Sequence, residues 1–143
     1  MMRLVALVPA IAVALAGSAF AADPAADAAN AYSLDPGAST TSVKVGDPGK
    51  LVLVIRPKAP AWHVDPRAPL KIRFDAPSLK IEKAELARRD AVDPKAEEPR
   101  FETAFVAASA GSQEAKAVAD FFICSDSACV KQTRTVAIPV SVK

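Results

Sequence analysis

Cys124 and Cys129 are the two cysteines of the chain, set in the run FFICSDSACVK with four residues between them and β-forming residues on both sides. Three chemistries fit such a pair: reversible thiol–disulfide exchange, ligation of a metal, or a staple. The single His63 and single Trp62 stand together in AWHVDP. A set of Cys124, Cys129 and His63 could in principle take Cu(I) or zinc. Structural zinc sites, however, need four ligands, so neither a metal nor another cofactor is expected. Ser125 and Ser127 flank the cysteines, but one His without a base–orienter arrangement gives no triad. No Gly-rich phosphate loop follows a strand.

The compartment decides the resting state of the thiols. The chain begins MMRLVALVPAIAVALAGSAFAADPAAD, with Arg3 ahead of an apolar run from Leu4 to Ala16 and a small-residue boundary at Ala19-Phe20-Ala21. This pattern reads as a signal peptide cleaved after Ala21. The apolar run is shorter than the roughly 20 residues of a spanning helix, and Ser18 stands where a lipoprotein would carry Cys. The expected product is soluble after processing, periplasmic or secreted, without an integral membrane segment. In an oxidising compartment two neighbouring thiols are expected as a disulfide. Formal charge is +2, with 18 basic and 16 acidic residues scattered along the chain, which gives no footprint for nucleic acid.

The remaining elements must position the pair. Residues 22–38, rich in Ala, Asp and Pro, read as a flexible leader, with a single domain over 39–143. STTSVKV and KLVLVIR, separated by Gly46-Asp47-Pro48-Gly49, read as two strands. In PLKIRFDAP, Leu70, Ile72 and Phe74 alternate with Lys71, Arg73 and Asp75, the period of a half-buried strand. SLKIEKAEL continues as strand rather than as a helix over 81–89. The stretch 87–100 reads as a charged loop in which Arg88-Arg89 and Glu97-Glu98 are solvated. RFETAFVAA, EAKAVADFFIC and CVKQTRTVAIPVSVK supply the last strands, with Val136, Ile138, Val140 and Val142 on one face and Pro139 marking an edge. Seven to eight short strands point to an all-β, immunoglobulin-like antiparallel sandwich.

If the last two strands form a hairpin around SDSA, the cysteines face each other at its base. A non-hydrogen-bonded pair brings Cα atoms to about 4.5 Å, close enough for a disulfide. So short a loop adds only about 2 kcal/mol of chain-entropy stabilisation. A surface bridge of this kind suits a reversible couple as well as a reinforcement.

KLVLVIRPKAPAWHVDPRAPLKIRF, followed some fifty residues later by ADFFICSDSACVKQTRTVAIPV, resembles the periplasmic N-terminal domain of the thiol:disulfide interchange protein DsbD. The resemblance covers about residues 40–143. It implies an immunoglobulin-like domain whose Cys124 and Cys129 are the redox pair, exchanging with thioredoxin-like or transmembrane thiol–disulfide proteins of the cell envelope. It also implies that Trp62 and His63 lie near the sulfurs, Trp62 as a cover and a protonated His63 as a group favouring thiolate. The expected activity is thiol–disulfide exchange through Cys124 and Cys129, that of an oxidoreductase. The alternative is a non-catalytic binding module of the same fold whose disulfide is structural.

Overall fold

The computed structural model describes residues 23–143, and the expected signal peptide lies outside them. One helix, α1 (Pro24–Asn30), precedes ten strands: β1 (Tyr32–Asp35), β2 (Ser42–Val43), β3 (Pro48–Pro57), β4 (His63–Val64), β5 (Lys71–Asp75), β6 (Leu79–Ile81), β7 (Glu85–Ala87), β8 (Arg100–Ala107), β9 (Gly111–Cys124) and β10 (Cys129–Val142). A 3-10 turn at Arg88–Asp90 follows β7. One sheet runs β1-β3-β8-β6 and the other β2-β10-β9-β5-β7, with β4 also pairing to β9. Only β2 runs parallel to its neighbour β10 among these pairs. The chain is therefore an all-β sandwich of immunoglobulin-like kind. The strand count exceeds the expected seven to eight because two-residue strands, β2 and β4, each add to one longer strand, β10 and β9 respectively.

Alternation of side chains builds the core. On β5, Ile72 and Phe74 are buried while Lys71, Arg73 and Asp75 are exposed. β9 lines the interior with Ala115, Ala117, Ala119, Phe121 and Ile123, and β10 with Ile138, Val140 and Val142. Leu51, Leu53 and Ile55 of β3 join Phe101 and Phe105 of β8 in the same cluster. Val52, on the opposite face of β3, is buried as well. Beside it the Ser39 hydroxyl accepts from the Val52 amide at 2.8 Å and donates to the Val52 carbonyl at 3.0 Å, standing in for a strand partner. Such substitution satisfies backbone groups that would otherwise be orphaned.

Within the expected leader 22–38, the described residues from Asp23 onward carry local structure of their own. Asp23 caps α1, its carboxylate accepting from the Ala25 amide at 3.0 Å, and Pro24 occupies the first turn, where no amide hydrogen is missed. Ala28, Ala31 and Tyr32 are buried in the core cluster. The Tyr32 ring meets Phe121 edge-on at 4.8 Å, and its hydroxyl donates to Gln132 Oε1 at 2.9 Å. One aromatic anchor thus orders an otherwise Ala-rich segment, and β1 then pairs with β3.

The charged stretch 87–100 also departs from a purely solvated loop. Arg88 is half-buried, and its Nη2 donates to the Asp65 carbonyl at 2.9 Å. Glu98 accepts from Arg56 Nη1 at 2.7 Å. Ala91 is buried beneath the loop, so the segment is tied to the sandwich at several points.

Candidate functional site

The β9–β10 hairpin is paired over its whole length, ending with Cys129 directly opposite Cys124. The tip closes through the Ser125 amide, which donates to the Ala128 carbonyl at 2.8 Å. A narrow hydrogen-bonded pair at 125 and 128 makes the next pair, 124 and 129, the non-hydrogen-bonded kind, in which side chains stand closest. Their Cα atoms are 4.1 Å apart and the sulfurs are joined in a disulfide.

On its other side Cys124 faces His63 of β4. Directly opposed residues project from the same face of a sheet, so His63, Cys124 and Cys129 form one row across three strands. The neighbouring row, Val64 and Ile123, is buried in the core, which places the cysteine row on the outer face. Cys124 is nevertheless only 2% exposed, whereas Cys129 and His63 are exposed. Trp62 is half-buried and packs against the core cluster.

A residue that the sequence reading passed over reaches the bridge. Asp65 extends β4 through its amide, which donates to the Phe122 carbonyl at 3.3 Å. This register sets Asp65 diagonally across from Cys124, and its Oδ2 lies 3.8 Å from Cys124 Sγ. A bridged sulfur carries no proton, so this is a contact of a carboxylate with sulfur rather than a hydrogen bond. The Arg67 amide donates to Asp65 Oδ1 at 2.8 Å. That hydrogen bond, helped by the charges of Arg67 and His63 and opposed by desolvation, holds the Asp65 carboxyl below the usual carboxylate range. Arg88, bonded to the Asp65 carbonyl, fixes the same segment from the opposite direction. Its Nε is buried without a partner, and burial lowers the guanidinium pKa against the pull of Asp65.

The sequence signal for Asp65 was the alternation within AWHVDP, where 63 and 65 must share a face if Val64 enters the core. The four singled-out residues are thus distributed unevenly: Cys124, Cys129 and His63 share a row, and Trp62 serves the core. An open apolar groove lined by Pro48, Ile81, Phe105 and Val106 lies on the other sheet, away from the bridge.

No family model matches the chain, and no curated protein matches it. Among solved structures, a conjugative transposon lipoprotein from Bacteroides eggerthii is similar with a TM-score of 0.44 and 10% identity, covering 77% of this chain and 96% of that one. A conjugate transposon protein from Bacteroides vulgatus gives a TM-score of 0.43 and 11% identity, covering 77% of this chain and 83% of that one. AggA, the major subunit of aggregative adherence fimbriae type I from Escherichia coli, gives 0.40 and 11%, covering 78% of this chain and 94% of that one. Likeness at this level transfers no function. The assignment by resemblance to the DsbD N-terminal domain is accordingly corrected: neither comparison by sequence returns that family, and the similar structures named above are transposon and fimbrial proteins. The most specific part of the resemblance was an aromatic strand, a short Cys-to-Cys loop and a following strand, and in this chain that pattern forms a tight, disulfide-closed hairpin.

Proposed function

We propose that this chain is a non-catalytic β-sandwich module of an exported protein, in which the Cys124–Cys129 disulfide ties the tip of the longest hairpin. The observation that carries the reading is the Asp65 carboxylate 3.8 Å from Cys124 Sγ. An exchanging cysteine works as a thiolate and is promoted by cationic surroundings. An anion held beside a buried sulfur disfavours negative charge there. Export is supported by the signal-like pattern of residues 1–21. Among the described residues no helix is long and apolar enough to cross a membrane.

The exposure of Cys129 favours a second reading, thiol–disulfide exchange with a thioredoxin-like partner in which Cys129 is the sulfur attacked. Equilibration of the purified domain against defined thiol–disulfide buffers separates the two. A staple resists reduction, with a potential below about −300 mV, whereas an exchanger lies above it. In the staple reading, single replacement of Cys124 or Cys129 traps no mixed disulfide with a thioredoxin-like protein. A potential in the exchanger range together with a trapped partner overturns it.

A further inference from the structure

Asp65, Cys124 and Cys129 each present one ligand atom, and the three atoms lie within 4.8 Å of one another. We infer that the reduced hairpin tip is a binding site for a divalent cation of the zinc class, held by the sulfurs of Cys124 and Cys129 and the carboxylate of Asp65. The inference stands whichever of the two readings of the disulfide holds, since it concerns the reduced form.

Zinc bonds of about 2.3 Å to sulfur and 2.0–2.2 Å to carboxylate oxygen set tetrahedral edges of roughly 3.3–3.8 Å. Ligand atoms already within 4.8 Å of one another reach such edges through side-chain rotation. The strands hold the three groups in place. Cys124 and Cys129 are fixed opposite each other by the hairpin, and Asp65 is fixed diagonally by the hydrogen bond that its amide donates to the Phe122 carbonyl and by Arg88 on its own carbonyl. Parting of the sulfurs by reduction therefore leaves two thiols and a carboxylate converging on one point, with Cys129 exposed to admit the ion and a water in the fourth position. A carboxylate is a hard donor and selects a borderline divalent ion over Cu(I), which a pair of thiolates alone would favour. The sequence reading had considered His63 as the third ligand; here the carboxylate takes that place, with His63 opposite Cys124 in the row.

The redox step is a two-electron reduction. A phosphine breaks the sulfur–sulfur bond and becomes a phosphine oxide by taking the oxygen of one water, whose two protons complete the thiols. Binding then releases those two protons, so that two thiolates and one carboxylate surround the cation.

Cobalt(II) is the probe, because thiolate coordination gives it a near-ultraviolet charge-transfer band and tetrahedral geometry gives strong visible bands. The full chain is reduced with a phosphine under anaerobic conditions and titrated with cobalt, then with zinc. The expected result is both sets of bands saturating at one cobalt per chain, their loss on adding zinc, and neither in the oxidised protein. Asp65→Asn should weaken cobalt binding by more than the roughly tenfold lost when an outer partner of a ligand is removed, while Asp65→Glu keeps the bands. Circular dichroism of the oxidised variants checks that the fold is retained. Absence of the charge-transfer band in the reduced chain, or an affinity unchanged in Asp65→Asn, overturns the site.

Discussion

Asp65 and Cys124 sit on neighbouring strands in a diagonal relationship, and 3.8 Å separates the disulfide sulfur from a carboxylate that is itself balanced by the charges of Arg67 and His63. The contact follows from register rather than from proximity in sequence. His63 opposes Cys124, alternation returns residue 65 to the same face, and the Asp65 amide is bonded to the Phe122 carbonyl. A shift of β4 by one residue would turn Asp65 toward the core and Val64 toward solvent.

The bridge should contribute modestly to stability. It joins residues already opposed by a fully paired hairpin, and so short a loop is worth about 2 kcal/mol at most on the chain-entropy estimate. Replacing both cysteines by Ser should lower the unfolding free energy by about that amount and leave the strand signal in circular dichroism unchanged. Loss of the folded state would show that the bridge does more than restrain the unfolded chain.

Tyr32 should behave as the anchor of the N-terminal segment. Its hydroxyl is the donor to buried Gln132 Oε1, and Tyr32→Phe leaves that acceptor unpaired, a loss of about 1–3 kcal/mol. Burial raises the Tyr32 pKa, with Arg134 acting the other way. A raised folded value means that this contribution is full below the unfolded pKa of about 10 and disappears as pH rises through the folded value. The resistance of the wild type to denaturation should accordingly fall more steeply above that pH than that of Tyr32→Phe.

Much of the sandwich was legible because its strands alternate. The run 70–75 and the Val136, Ile138, Val140, Val142 face are placed as their period requires, and the four-residue tip determined the pairing of the cysteines. The order of 24–35 was not legible. Its composition is that of a linker, and the one residue that fixes it, Tyr32, acts through partners about ninety and a hundred residues away in Phe121 and Gln132. Asp65 and Arg88 escaped for the same reason: each gains its role from a strand or loop distant in sequence, and a charged side chain beside Pro or in a polar loop looks solvated.

Acid should destabilise the fold. Asp35, Asp65 and Asp90 are held below the usual range first by the backbone amides of Gly37, Arg67 and Ala87 respectively, and Glu102 first by the Arg100 side chain. Depressed folded values give stability that is present above the unfolded pKa of about 4 and is lost as pH falls through the folded values. The urea midpoint should therefore change little from about pH 5 to 8 and fall progressively below about pH 4. A midpoint rising on acidification would contradict these four hydrogen-bonded carboxylates.

Gly49 is the sharpest steric test of the opposite sheet. It lies on β3 directly across from Phe105 of β8, whose ring covers the glycine so closely that a Cβ added there would stand 2.3 Å from Phe105 Cζ and within 3 Å of both Cε atoms. Phe105 is 1% exposed and belongs to the core cluster, so its ring has little room to withdraw. Gly49→Ala should cost about 1–3 kcal/mol, as overpacking does, even though alanine is otherwise at least as suited to a strand as glycine. Relief of the clash by Phe105→Leu discriminates the cause. The double variant should be more stable than the sum of the two single losses predicts, because the smaller side chain opens the space that the new methyl group needs. Additive losses in thermal or urea denaturation would place the penalty of Gly49→Ala elsewhere than in this ring contact.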